Sequence, residues 1–411
     1  WNLKALTLVA IYYHPALAEA RARLLAAQAA QITAGERPNP SLSVTPGHDT
    51  GVASATSPWI VPLRLDWTIE TAGKRTDRIA QARELAGAAR WKLIGTVWRA
   101  RGRVRAALLN LYAARRLNGL LSREVSTRRN VVRLLEGQFA AGGVSNYIVE
   151  QARAALDTTI LAQQAARGQV AGARVHLAVA LGLPLRALRG VHLSFAPFKA
   201  FPLQLTQAEI RHEALLNRAD VRAALDEYAA SQSALQLQGA LQYPNIHLGP
   251  GYAWNAQLAG DTEWSLELGL SLPIVNINQG PIAEAKAQRE LAAARFLNVQ
   301  AAALGEINSA LAAYRSARER VATATLLLTS LRKQLDSIHA QVEAGELQPL
   351  DFANAQVALD LGAQNRLKAA LQAQQALGRL EQAVESPLTL SPLALREVQL
   401  NVSQRQKTRS Q

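Results

Sequence analysis

The sequence predicts a mainly α-helical protein with a smaller β portion, built as two structural repeats of one plan. Three observations carry this: segments that return at a nearly constant offset, two proline-free stretches of about 62 residues, and short runs of alternating apolar and polar residues.

The offset is about 202 to 206 positions throughout. Pro38-Asn39-Pro40 returns as Tyr243-Pro244-Asn245, Arg83-Glu84-Leu85 as Arg289-Glu290-Leu291, and Tyr112 as Tyr314. Gln138-x-x-Ala141-Gly142 returns as Gln341-x-x-Ala344-Gly345, and Ala155-Leu156-Asp157 as Ala358-Leu359-Asp360. Two long copies argue for a pseudo-symmetric molecule, since a solenoid needs more and shorter repeats. The first repeat is expected over 1–203: N-terminal helices, a hairpin at 41–70, a long helix at 75–136, a tip at 137–146, a return helix at 147–181 and a linker at 183–203. The second is expected over 204–411: a helix at 206–241, a hairpin at 245–274, a long helix at 282–343, a tip at 344–350, a return helix at 351–385 and a tail.

The strands are the clearest local signal. In Val61–Ile69 every odd position is apolar, and in Trp264–Leu272 every even one. Ser41–Thr45 and Asn245–Trp254 are their expected partners, with Gly51, Ser54, Ser57 and Gly260-Asp261 in the connections. Such alternation gives each strand one apolar and one polar face. Trp59, Trp67, Trp254 and Trp264 lie at the strand ends, with Tyr252 beside them. Two environments suit them: a membrane–water interface, or the core of a small water-soluble β-domain. Four strands cannot close a barrel, so a membrane barrel would need several chains.

Arg75–Glu136 and Ile282–Glu343 would each span roughly 93 Å as helices. That length implies coiled-coil-like packing, and apolar residues recur at the matching spacing, as in Val104, Leu108 and Leu111. Gly142-Gly143 and Gly345 are placed to end these helices and turn the chain back. Leu183–Pro202 reads as a proline-containing linker with one short strand, Val191–Phe195.

Composition bounds the function. The 411 residues include 45 Lys and Arg against 31 Asp and Glu, a net charge of +14, with 49% hydrophobic and 18% charged residues, too apolar for a disordered chain. There is no Cys, which excludes disulfides, thiolate metal sites, a cysteine nucleophile and a lipid-modified N-terminal Cys in the sequence as given. Met is also absent, so Trp1 is expected to follow a removed leader or a trimmed start. Lys4–Ala18 has some features of a signal peptide, but His14-Pro15 interrupts it and an Ala/Arg-rich helix is expected to continue without a break. The most apolar windows, Val175–Leu185 and Ala322–Leu331, are too short for a spanning helix, whereas short alternating membrane strands remain open.

In the order and spacing of these features the chain resembles the TolC-type outer-membrane factors, the exit ducts of bacterial tripartite efflux and secretion systems. Leu6-Thr7, His14-Pro15, Ala20-Arg21-Ala22, Ala34-Gly35-x-x-Pro38-Asn39-Pro40, Asn217-Arg218-Ala219-Asp220-Val221 and Tyr243-Pro244-Asn245 carry the resemblance. The opening looks most like the heavy-metal efflux branch, of CusC and CzcC type. The resemblance implies a homotrimer in which three chains each give four strands to a 12-stranded β-barrel in outer-membrane lipid, joined to a periplasmic α-barrel. It implies a periplasmic adaptor and an inner-membrane RND-type transporter as partners, no cofactor and no catalysis. A soluble coiled-coil scaffold with a small β-domain is the alternative.

The resemblance also assigns sites. Gly142, Gly143, Val144 and Ser145, with Gly345, Glu346, Leu347 and Gln348, fall at the tips that would contact the adaptor, although glycines are needed there for the turns alone. Asp351 falls where relatives place an aperture carboxylate, and three copies about a threefold axis would favour cations. Following Pro349, Asp351 could equally be a helix N-cap. Asn354 replaces the next acid of that ring, and Val342 and Leu347 replace a locking Tyr and Arg, so that lock does not carry over.

The seven His lack ligand spacing, and neither a nucleophile elbow nor a phosphate loop occurs. The basic excess is local. Arg75–Glu136 holds 15 Arg and Lys against four acids, and Ile282–Glu343 holds eight against six. Arg99, Arg101, Arg103 and Arg105 radiate around the helix without interleaved aromatics, which favours a solvated helix surface, facing the duct wall or neighbouring helices, over nucleic-acid binding.

Overall fold

The computed structural model describes residues 1–48, 50–51, 58–201, 217–255 and 261–388. In chain order the elements are α1 (Leu3–Tyr13), α2 (Pro15–Gly35), β1 (Ser41–Val44), β2 (Gly47–His48), β3 (Trp59–Ile69), α3 (Lys74–Ala140) and α4 (Asn146–Leu181). After short 3-10 turns at Leu185–Leu188 and Ala196–Phe198 come α5 (Ala219–Ala240), β4 (Ile246–Asn255), β5 (Asp261–Leu270), α6 (Gln279–Glu343) and α7 (Pro349–Val384). None of the described helices is long and apolar enough to cross a membrane.

The chain forms two compact units, each drawing on both halves of the sequence. One, the sheet unit, comprises Ala20–Leu93 and Ala219–Gln300. The other, the bundle unit, comprises Trp1–Glu19, Ile94–Arg218 and Ala301–Gln411.

In the sheet unit the antiparallel order is β1-β3-β4-β5, with β2 continuing the β1 edge against β3. Pairings such as Leu42 with Leu65, Leu63 with Tyr252 and Tyr252 with Trp264 set the register. Pro250 lies in the central strand β4 and has no N–H, and the β3–β4 register is interrupted between Arg64–Gly251 and Trp67–Leu248.

Within the bundle unit α7 lies against both α6 and α3, and α3 lies against α4. Ile307, Leu311 and Tyr314 of α6 pack with Leu377 and Leu380 of α7. Thr127 and Glu124 of α3 bond Asp360 and Gln364 of α7, at 2.9 and 2.6 Å. Val104, Leu108 and Leu111 of α3 pack with Leu177 and Leu181 of α4 and with Leu6 and Ala10 of α1. Burying each large aliphatic side chain contributes about 1.5–3 kcal/mol. Gly182 ends α4 at φ 71°, and a Cβ there would approach the His14 Cα to 2.8 Å, so both conformation and space require glycine.

Several boundaries differ from expectation for clear reasons. A helix runs from Gln279 through Pro281, because proline in the first turn loses no intrahelical bond. The N-terminal helices are separate: Pro15 disfavours helical backbone at His14, which takes φ −71° and ψ 124°. Val191–Phe195 is not a strand. It meets the N-terminus through only two bonds, Trp1 N to His192 O and Ser194 N to Trp1 O, too few for a ladder. β5 ends at Leu270, two residues short of the alternating run. Residues 206–216 of the expected 206–241 helix, the connections at Ser54, Ser57 and Gly260, and the tail after 388 lie outside the described residues.

Candidate functional site: a membrane face and two helix tips

Strand register sorts the sheet into two chemically opposite faces. On one, Leu42 and Val44 sit beside Leu65 and Leu63, followed by Tyr252, Leu248 and Ile246, then Trp264, Leu268 and Leu270. Leu42, Trp67, Ile69, Trp264, Leu266, Leu268 and Leu270 are all exposed, so this face is apolar and uncovered in the single chain. Uncovered apolar patches of this kind mark contact with lipid or partners.

The opposite face is polar. Arg64 of β3 pairs with Glu267 of β5 at 2.8 Å, reaching past β4, where Gly249 and Gly251 offer no side chain. His247 Nδ1 lies 3.3 Å from Asp66 Oδ1 and 3.4 Å from Thr68 Oγ1. The two outer edges, β1 and β5, each pair on one side only.

The expected interface aromatics lie on this sheet. Trp59 packs edge-on against His48, with ring centroids 5.0 Å apart. Tyr252 and Trp264 face each other across β4 and β5 at 4.9 Å, and Trp254 stands two residues beyond Tyr252. These four gather toward the β4–β5 connection, while Trp67 lies nearer the strand ends that lead into the helices.

Both tips are helix–turn–helix connections of the same construction. Gly142 (φ 75°) and Gly345 (φ 79°) take the left-handed conformation. Gly143 N donates to Gln138 O at 2.8 Å and Gly142 N to Phe139 O at 2.9 Å; Glu346 N donates to Gln341 O at 2.9 Å and Gly345 N to Val342 O at 3.1 Å. Each pair is a Schellman closure. Only Gly142 of the Gly142-Gly143 pair needs positive φ. At the first tip Gly142, Gly143 and Ser145 are exposed and Val144 is half-buried; at the second Gly345, Glu346 and Gln348 are exposed and Leu347 is half-buried. Exposed Phe139, Tyr147 and Ile148 flank the first tip, apolar residues that sequence reasoning passed over. Their closeness to Gly142 was the available signal.

Asp351 is not the N-cap. Gln348 is, and Asp351 stands at N3 of a reciprocal capping box, its Oδ2 accepting the Gln348 N–H at 3.0 Å. Asn354 is exposed one turn further along the helix.

The arginine cluster on α3 is only partly a solvated surface. Arg105 is 5% exposed and Glu381 of α7 is 1% exposed, with the Arg105 Nε 3.2 Å from the carboxylate. Arg101 binds the same carboxylate at 3.1 Å, and Arg105 also donates to Gln374 O at 2.7 Å. Burial lowers the Arg105 pKa, while Glu381 opposes that shift. The residues are 276 positions apart, and no local pattern announces the pairing. Among the described residues, no group of three or more His, Asp or Glu is placed to hold a metal.

Two long helical hairpins and an antiparallel sheet with one apolar face are present, and the chain belongs to the outer membrane efflux protein family. The family model matches residues 9–183 and again 210–385. Solved channels share the fold. The outer-membrane channel OprN superposes with a TM-score of 0.78 at 18% identity, covering 94% of this chain and 91% of its own. The open-state MtrE channel of Neisseria gonorrhoeae gives 0.77 at 18% identity, covering 94% and 89%. CusC, whose structures concern folding and transmembrane channel formation, gives 0.75 at 18% identity, covering 94% and 92%. Equal identity to all three does not single out the CusC branch. No curated protein matches the chain significantly. The protein is an efflux channel component of the outer membrane extending into the periplasm, not a water-soluble scaffold.

Proposed function

We propose that three copies form a passive exit duct for a tripartite efflux pump. The observation that carries this is the sheet: one face continuously apolar, the other polar, and both edges unpaired. Three such ribbons joined edge to edge supply 12 strands, a closed barrel with apolar residues toward lipid and Arg64, Asp66 and Glu267 toward the lumen. Trp59 and Trp67 are eight residues apart, about 26 Å along an untilted strand, suited to two interfacial belts.

The tips at Gly142–Ser145 and Gly345–Gln348 then dock a periplasmic adaptor, with Phe139 and Tyr147 adding apolar contact. An inner-membrane RND-type transporter supplies the energy, and the duct performs no catalysis. Asp351 and Asn354 line the narrow aperture. A ring of three Asp351 carboxylates favours cations, which fits a heavy-metal cargo, with the aperture selecting charge and not a particular ion. The capping bond uses one Asp351 oxygen and leaves its charge available to the ring.

Planar-bilayer recording tests the reading. The parent protein is expected to form discrete cation-selective channels, and Asp351→Asn, which keeps an oxygen for the cap, is expected to lower the cation-to-anion permeability ratio several-fold. Absence of channels would refute the duct. Unchanged selectivity would remove Asp351 from the aperture.

A further inference from the structure

The segment joining β5 to α6 lies outside the strands and helices, yet among the described residues it carries the two most exposed large apolar side chains. Ile274 is 81% exposed and Val275 95%, and Leu272 is also exposed. No charged residue occurs between Glu267 and Glu284.

This loop is held in place at its end. Gln242 Nε2 donates to Ile277 O at 2.8 Å, and Asn278 Nδ2 donates to Gln238 O at 2.8 Å. Asn278 takes φ 60°, a left-handed conformation that Asn tolerates, and its N–H bonds Asn276 Oδ1 at 3.0 Å. An Ile274 N–H to Leu272 O bond of 2.9 Å closes a tight turn that presents Ile274 and Val275. The backbone is thus anchored to the end of α5 and the residues just after it, while two β-branched apolar side chains project outward.

We infer that Leu272–Val275 is a lipid anchor, inserting Ile274 and Val275 into the leaflet nearest the helices. The occupant follows from continuity. Leu266, Leu268 and Leu270 form the apolar row of β5, and the exposed Leu272, Ile274 and Val275 follow it directly along the chain beyond the last strand pair, Ile246 with Leu270. A surface that continues a lipid-facing row without a charge meets the same lipid. The inference rests on the proposed membrane orientation of the sheet and adds an element outside the strands.

The chain contains no Cys, so Val275→Cys provides a single thiol for a nitroxide label in the full-length protein reconstituted in phosphatidylcholine–phosphatidylglycerol vesicles. Leu268→Cys serves as the control on the apolar strand face and Ser265→Cys on the polar face. Oxygen collisions are expected to exceed those of a water-soluble nickel chelate at positions 275 and 268, with the ratio reversed at 265. Ile274→Cys is expected to repeat the result at 275. Nickel dominance at 275 would show a water-exposed loop, and low collision rates with both reagents would show a second copy covering it. Either result with a normal response at 268 overturns the anchor alone, whereas loss of oxygen preference at 268 overturns the membrane reading of the sheet.

Discussion

The two strand-to-helix junctions occupy equivalent places in the repeats but are built from opposite chemistry. Ala72 (φ 59°) and Asn278 (φ 60°) are both left-handed and lie 206 positions apart, which sets the correspondence. The first junction is polar and tied down. Lys74, 4% exposed, donates to Tyr243 O at 2.6 Å and also reaches Asn245, and Thr71 bonds Pro244 O. Arg78 forks onto Glu70, and Arg75 donates to Gly35 O at 2.6 Å. At the second junction Gly280 replaces the lysine, two amides hold the backbone, and apolar side chains face outward. The turn is common to both repeats, while its surroundings differ. One junction ties secondary elements together through charged side chains, and the other holds its backbone while turning apolar side chains outward.

The largest effect should come from the buried lysine. Lys74→Met keeps the apolar stem but leaves the Tyr243 and Asn245 oxygens without their donor, and should cost about 2–3 kcal/mol in denaturant unfolding of the detergent-solubilised protein. A loss below about 0.5 kcal/mol would show that the first junction is not held by this network.

Arg78→Ala should cost about 1–2 kcal/mol at neutral pH. The Arg78 hydrogen bond, then its charge and those of Lys74 and Arg75, holds the Glu70 pKa below the ordinary Glu value despite burial. A carboxyl depressed on folding contributes stability above its unfolded pKa, and that contribution is lost as pH falls through the folded value. The difference between parent and Arg78→Ala should therefore shrink in acid. A difference that stays constant as the pH is lowered would contradict the assignment.

The smallest effects concern the shared left-handed turn. Ala72→Gly should gain about 0.5–1 kcal/mol by relieving a Cβ from positive φ, while Asn278→Ala should lose about 1 kcal/mol through the same strain and the lost bonds to Gln238. Equal and negligible effects at both sites would mean that the turns are not conformationally equivalent.

These contrasts show which physics the sequence displays. Strand faces were legible because alternation at Val61–Ile69 and Trp264–Leu270 is a local consequence of burying or wetting one side. Tips were legible because Gly142 and Gly345 are forced by backbone conformation. Helix ends were less so: Pro281 looks like a barrier but fits a first turn. Long-range pairing was invisible, since nothing beside Arg105 points to Glu381, and the aperture assignment of Asp351 rested on resemblance. Leu272 and Ile274 read as the end of the second hairpin because the alternation of β5 continues through Leu272, whereas the strand stops at Leu270.

A closed barrel requires the open sheet edges of β1 and β5 to be completed by other copies. The mass of the purified protein in detergent, measured by light scattering with the detergent contribution subtracted, tests this directly. The expected result is three times the 44.3 kDa chain, with aggregation when detergent is withdrawn. A 44.3 kDa monomer that stays dispersed without detergent would contradict it.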